Sequence, residues 1–272
     1  MGYVSQTILT MEINILKQTD TLIECSIKGI NHVLANTLRR LLISEIPVMA
    51  IEEVDFQKNN SALYDEILAH RLGLVPLTTD LKSYNLQEEC KCEGKGCAMC
   101  QLLLTLDATG PVTVYAKDLE SKDPKVKPVF DKIPIVVLNK NQKLKLEATA
   151  ILGQGKAHMK FSPGWVYYQY FPVVKIQNVQ NAEELASIYP TLFEVSGGKL
   201  QLKEDADMDK LMNVETSLAK PAKSLEITQD TSRFFFHIES FGQLSVKEMF
   251  TTALDVFDKK LVEFEKILKK TK

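Results

Sequence analysis

Four of the five cysteines in this chain fall in one short stretch, "CKCEGKGCAMC", Cys90 to Cys100. Their spacing is Cys90-x-Cys92-x4-Cys97-x2-Cys100, on a loop that also carries Gly94 and Gly96. Four thiolates so placed can converge on one tetrahedral ion, at about 2.3 Å per bond for zinc, and glycine lets the intervening chain turn back without a Cβ penalty. Four protein ligands leave no position open for water or substrate, so such a site holds a fold together and does not catalyse. A pair of disulfides is the competing reading, and it weakens if the compartment is reducing. The N-terminus "MGYVSQTILTMEINILK" has no basic n-region followed by an apolar h-region, and no run of about 18 apolar residues occurs. The expectation is a cytoplasmic protein without a membrane segment, with Met11 a second candidate for its first residue.

Other residue types that could do chemistry are isolated. Glu66, His70 and Arg71 lie at i, i+4 and i+5 of one helical stretch, yet no nucleophile, second carboxylate or phosphate-binding glycine loop is placed to share acid–base work with them. "GQGKAH" is neither a complete P-loop nor a dinucleotide fingerprint and reads as a turn. A stand-alone metalloenzyme or redox protein built on the cysteine loop would need an open coordination position or a nearby base, and neither is visible.

The elements around these residues follow from periodicity. With 272 residues, 45% hydrophobic and 25% charged, the chain has the composition of an ordinary globular protein of two or three modules. Its net charge of −2 provides no basic surplus for gripping nucleic acid, so sequence-specific DNA binding is not expected. "TLIECSIKGI" alternates like a strand and puts Cys25 on its apolar face, where free cysteine packs as a core residue. "NHVLANTLRRLLISEIP" places Leu34, Leu38, Leu41 and Leu42 at helical spacing, with Asn31 to cap the start, Arg39 and Arg40 near the middle and Pro47 at the end. A second helix is expected in "SALYDEILAHRLGLVPL", capped by Ser61, with Leu63, Ile67 and Leu68 on one face. From Gln101 to Leu152 strands recur: "QLLLTLDAT", "VTVYAKD", "IPIVVLN" and "KLKLEATAIL". Beyond them a "FEVSGGKLQL" hairpin stands between two short helical pieces, and "RFFFHIES" is a strand. The last segment repeats Val246, Phe250, Leu254, Phe257, Leu261, Phe264 and Leu268 in steps of four and three, an apolar stripe along more than six turns of helix. A single chain has difficulty covering such a stripe.

Three stretches carry a resemblance. "NTLRRLLISEIPVMAIEEVDFQKNNSALYDEILAHRLGLVPL", then "YAKDLESKDPKVKPV" with "IPIVVLNKNQKLKLEATAILGQGKAHMKFSPG", and finally "IESFGQLSVKEMF" resemble, in this order, the D-subunit family of archaeal RNA polymerase. That family is similar to the third-largest subunit of eukaryotic RNA polymerase II and to the amino-terminal domain of the bacterial α subunit. The resemblance implies an α+β fold in which both chain ends join in one split dimerisation domain, 11–51 and 224–272. It is interrupted by a β-rich inserted domain, 52–164, and by a small ferredoxin-like module, 165–223.

It further implies a non-catalytic assembly platform within a nucleotidyltransferase complex. A small L-like subunit would pair with the surface formed by Leu34, Leu38, Leu41, Leu42, Phe250, Leu254, Phe257, Leu261, Phe264 and Leu268. The large catalytic subunits would meet Arg39 and Arg40, whose planar guanidinium groups can grip a carboxylate or carbonyls in a way lysine cannot. Other small polymerase subunits would complete the set. Some relatives carry a zinc-binding cysteine loop in the inserted domain, so one structural zinc ion is expected at Cys90, Cys92, Cys97 and Cys100, with iron–sulfur the alternative. Other relatives hold an iron–sulfur cluster in the ferredoxin-like module, but 165–223 contains no cysteine here, and no cluster is expected there.

Overall fold

The structure, a computed structural model, describes residues 11–176, 182–203, 206–208, 210–211 and 225–270. In chain order its elements are β1 (Glu12–Gln18), β2 (Leu22–Lys28), α1 (His32–Ser44), β3 (Pro47–Asn59), α2 (Asp65–Gly73), β4 (Gln101–Thr109), β5 (Val112–Tyr115), β6 (Glu120–Ser121), β7 (Pro134–Leu138), β8 (Lys143–Gln154), β9 (Gly164–Ile176), α3 (Ala182–Ile188), β10 (Phe193–Ser196), β11 (Lys199–Leu202), β12 (Leu225–Ser240) and α4 (Val246–Lys270). The fold is α+β, as the resemblance implies.

The chain separates into two units. The larger contains 15–24, 32–167 and 237–272. Its core is a four-stranded sheet of order β3-β8-β4-β6, with β8 paired antiparallel to both β3 and β4. Strict alternation decides which side faces in. Leu144, Leu146, Ala148, Ala150 and Leu152 of β8 are at most 4% exposed, and Leu102, Leu104 and Leu106 of β4 line the same interior. Leu68 and Leu72 of α2 and Ile135, Val136 and Leu138 of β7 close this core. At about 25 cal/mol per Å² of apolar surface removed from water, it is the main stabilising feature of the unit.

The two ends of the chain come together in the same unit. α1 buries Ala35, Leu38, Leu41 and Leu42 and packs against α4. Lys260 of α4 reaches Glu45, just past α1, at 3.1 Å. A capping box starts α4: Ser245 Oγ accepts the Glu248 N–H at 3.3 Å, and the Glu248 carboxylate accepts the Ser245 N–H at 3.1 Å. A separate sheet has the strand order β1-β2-β12-β9.

The smaller unit contains 25–31 and 168–236 with the described residues before Ile15. Leu185, Leu192, Phe193, Leu200 and Leu211 form a compact cluster beside the β10–β11 hairpin, which turns at Gly197 and Gly198. Phe234 and Phe236 of β12 pack on Tyr168 and Tyr170 of β9, and the Arg233 guanidinium stacks 3.8 Å from the Phe171 ring while donating to Ser26 Oγ at 2.8 Å.

Several local expectations are corrected. Ser61 does not cap α2. Its hydroxyl is engaged with Asn59 and Leu63, and the residue preceding the helix is Tyr64, with no side-chain cap. Ile67 does not share the inward face with Leu68: a helix that buries Leu68 and Leu72, four apart, turns position 67 outward, and Ile67 is 46% exposed. Strands β1, β3, β6 and β9 are additions to the sequence reading, and β12 begins at Leu225, ahead of the stretch around Arg233. The expected end of the small module, 212–223, lies outside the described residues.

Candidate metal centre and partner surfaces

The cysteine loop runs from a short helical turn at Gln87–Glu89 into β4, whose first residue follows Cys100 directly. Backbone bonds shape it from within. Cys97 O accepts the N–H groups of Cys100 and Gln101 at 2.9 and 3.0 Å, and Cys90 O accepts that of Glu93 at 3.0 Å. Glu93, Gly94 and Gly96 all have positive φ, which reverses the chain between the two cysteine pairs. At Gly96 a Cβ would also fall 2.4 Å from the end of Gln101.

All four Sγ atoms lie within 4.8 Å of one another. Cys90–Cys97 and Cys92–Cys100 are 3.5 Å apart and Cys97–Cys100 3.8 Å. Four sulfurs about 2.3 Å from one ion form a tetrahedron with edges of about 3.8 Å, so the thiols already stand close to that arrangement. The distances are far beyond the roughly 2.05 Å of a disulfide bond. Cys100 and Cys90 are buried, Cys92 and Cys97 half-buried. Hydrogen bonding from the Cys90 thiol pulls Cys92 down to about 7, whereas burial pushes Cys100 up to about 12. A cation bound to all four as thiolates would release protons from the cluster. Cys25 stays apart on β2, buried among apolar residues, and burial raises its thiol to about 11.

The second group of expected site residues is split by the structure. Leu38, Leu41 and Leu42 are buried within the chain and Leu34 is half-buried. Arg39 folds back on its own helix, its Nε and Nη2 donating to Asn36 Oδ1 at 3.1 and 3.0 Å, while Arg40 is exposed. On α4 the chain covers Val246, the first residue of the predicted stripe, together with Met249 and Ala253, which lie beside it. Phe250 and Phe257 are half-buried, and Leu254, Leu261, Phe264 and Leu268 are between 43% and 59% exposed. Ile267, at 62%, extends that bare surface.

The candidate acid–base residues are not brought together. Glu66 and His70 are exposed, and Arg71 donates to Ile135 O at 2.9 Å, tying α2 to β7. Near them Asp80 takes the Lys125 ammonium at 2.8 Å and the Ser83 hydroxyl at 2.7 Å, and these contacts, Lys125 first, hold its carboxyl well below the usual range. Tyr84 donates to Asp123 at 2.8 Å, and burial, then that carboxylate, pushes its phenol up to about 12. These bonds fasten loops. No helix among the described residues is long and apolar enough to cross a membrane.

Residues 50–165 match the RNA polymerase Rpb3/RpoA insert domain. Over 260 residues the chain is 36% identical to DNA-directed RNA polymerase subunit Rpo3 of Archaeoglobus fulgidus, spanning 94% of this chain and 97% of that one. It is 35% identical to the Rpo3 subunit of Methanosarcina acetivorans, over 96% of this chain and 99% of the relative. For Pyrococcus furiosus Rpo3 the identity is 34%, over 96% and 98%.

Proposed function

This chain belongs to the Rpo3 family of DNA-directed RNA polymerase subunits, and we propose that it serves as the platform on which a small L-like subunit and the large catalytic subunits assemble. It is an assembly component of a nucleotidyltransferase complex, and contributes scaffold where other subunits contribute chemistry. Similarity to Rpo3 subunits over nearly the whole chain carries this conclusion. It acts in the cytoplasm, in contact with protein partners and without reading DNA sequence.

The bare stripe on α4, Leu254, Leu261, Phe264 and Leu268, supports pairing with the L-like subunit. A partner helix seated there, with Phe250 and Phe257 at one end and the α1 residues Leu34 to Leu42 behind, would form the dimerisation surface of a domain split between 11–51 and 224–272. Each half-exposed side chain so covered stabilises the pair by about 1 kcal/mol. Arg40, exposed on α1, and Arg39 beside it are assigned to the large subunits, with the other small subunits completing the assembly. Between the two ends lie the inserted domain, 52–164, and the cysteine-free module, 165–223.

The cysteine loop is assigned one structural zinc ion on Cys90, Cys92, Cys97 and Cys100. Sulfur–sulfur distances near those of a single-ion tetrahedron favour one metal ion over a cluster, in which the four thiolates would be spread over two or four irons. When bound, zinc would replace shared protons as the charge that holds the four sulfurs together. Elemental analysis of tag-free protein should find zinc near one equivalent per chain; iron with visible absorption, or no metal after anaerobic purification, removes the assignment. Cys97→Ser should loosen the loop yet leave subunit pairing intact.

Tagged protein isolated from its native cells should bring with it one small L-like subunit and two very large subunits. A chain that arrives without such companions overturns the assembly reading.

A further inference from the structure

Where β9 starts and β12 ends, the two neighbouring strands carry side chains that neither the cysteine loop nor the α4 stripe involves. Val166 and Ile238 are 2% and 1% exposed and face inward. Alternation therefore turns Trp165, Tyr167, His237 and Glu239 to the outer face. Two contacts fix the register there. Tyr167 stacks on His237 with ring centroids 4.7 Å apart, and the Phe241 N–H donates to Pro163 O at 3.0 Å. Midway between them Trp165 falls opposite Glu239, at the spacing of about 5 Å at which cross-strand side chains meet.

This pair is open to solvent. Trp165, the only tryptophan of the chain, is 61% exposed. Its ring meets Tyr167 at an interplanar angle of 61°, centroids 6.3 Å apart, so Tyr167 does not stack over it. The Glu239 side chain is 52% exposed and lies 3.8 Å from His237 Nε2, beyond hydrogen-bond reach, whereas Glu24 stands 3.3 Å from Nδ1 of the same imidazole. Among the described residues the Glu239 carboxylate accepts no hydrogen bond, and no cation stands over Trp165. In the smaller unit the chain completes such a contact itself: the Arg233 guanidinium of β12 lies 3.8 Å from the Phe171 ring of β9 and donates to Ser26 Oγ. There an aromatic residue of β9 meets a cation of β12. At Trp165 it meets an anion.

We propose that Trp165 and Glu239 receive an arginine side chain of another polymerase subunit, its guanidinium flat on the indole and its N–H groups donating to the Glu239 carboxylate. The proposal rests on the assembly reading above. Charge complementarity selects a cation, and geometry selects arginine among cations. Trp165 is a single open wall, because Tyr167 gives one face to His237. A round ammonium lacks the several walls of an aromatic cage here, whereas a planar guanidinium needs one wall and a carboxylate beside it. The same openness selects a protein over a free small molecule, most of whose surface a binding site has to bury. A cation presented by a subunit brings its own cover, and tryptophan and arginine are the residues on which interface energy concentrates.

A photo-reactive benzoylphenylalanine at Leu22 in the tagged chain, within polymerase isolated from native cells, tests this directly. The Ser240 N–H donates to Thr21 O at 2.7 Å, which brings Leu22 beside Glu239. The expected product is a cross-link to an arginine-containing peptide of another subunit, at a yield well above that of the same probe at Val137, an exposed control position. Glu239→Lys should lower the yield about tenfold while leaving the melting temperature unchanged, since it replaces an exposed side chain without a hydrogen bond. Trp165→Leu should do the same, whereas Trp165→Phe, which keeps an aromatic face, should retain most of the yield. A cross-link confined to this chain, to a peptide without arginine, or no stronger than at Val137 overturns the proposal. So does undiminished cross-linking in Glu239→Lys, or equal loss in Trp165→Leu and Trp165→Phe. A fall in melting temperature that accounts for the lost yield assigns both residues to the fold instead. Isolation without any polymerase subunit overturns the assembly reading and this proposal together, and is distinguishable because it precedes irradiation.

Discussion

Strand β8 and the outer half of helix α4 are both rich in apolar residues at the correct period for their element, yet their fates are opposite. The inward side chains of β8 are at most 4% exposed, because β3, β4, α2 and β7 close over them. Leu261, Phe264 and Leu268 of α4 are each at least 50% exposed. Periodicity thus measures the need for cover and says nothing about who supplies it. In β8 the chain does so itself; on α4 none of the described residues covers the outer turns, and the proposed partner helix would supply that cover.

The sharpest way to break this contrast is to charge the bare side. Leu261→Glu combined with Phe264→Glu should weaken capture of the small subunit by at least about 4 kcal/mol, roughly a thousandfold, while shifting the unfolding midpoint of the free chain by about 0.5 kcal/mol or less. Equal loss of stability and pairing would mean that α4 is a core helix. The converse change is Leu146→Ala, which should cost about 3 kcal/mol of stability by leaving a cavity, and reduce pairing only as far as the folded fraction falls. Denaturant titration followed by pull-down separates the two effects. Next in size, Ser245→Ala removes the cap that starts α4 and should cost about 1 kcal/mol, seen as faster amide exchange in its first turn and not along the stripe.

The smallest effect should belong to Asp80. Its folded-state carboxyl lies below the ordinary value, chiefly through Lys125. It therefore contributes stability above the unfolded-state pKa of about 4, and this is lost as pH falls through the folded value. Asp80→Asn should show a stability deficit at pH 6 that shrinks steadily in acid. A deficit that stays constant with pH would assign the residue's role to its hydrogen bonds alone.

Much of the architecture was legible because it is local. "QLLLTLDAT" coincides with β4, and the helices at Leu34–Leu42 and from Val246 onward carry their period plainly. β9 was not legible. It reads Gly-Trp-Val-Tyr-Tyr-Gln-Tyr-Phe-Pro, where aromatic residues fall on both faces and blur the two-residue alternation. β1 was missed for a related reason: every one of its residues is exposed, so no buried face marked it. The cap at Ser245 could have been found, since Ser-Val-Lys-Glu before an apolar stripe is a capping box. The cysteine positions could be read from spacing, but their approach to 3.5–3.8 Å depends on backbone reversals that spacing only permits. The pairing of Trp165 with Glu239 could not be singled out at all, because nothing in "GWVYY" or "HIES" fixes the register between the two strands.

The packing of α1 on α4 also sets an order in time. The two helices are separated by some two hundred residues of chain, so α4 is made well after α1. Until Val246 and the turns after it have left the ribosome, α1 lacks the helix it packs against, and the proposed pairing surface is incomplete. A chain cut before Val246, however well its sheet has folded, lacks the helix proposed to pair with a partner subunit. The contact between α1 and α4 therefore joins segments that are made far apart in time.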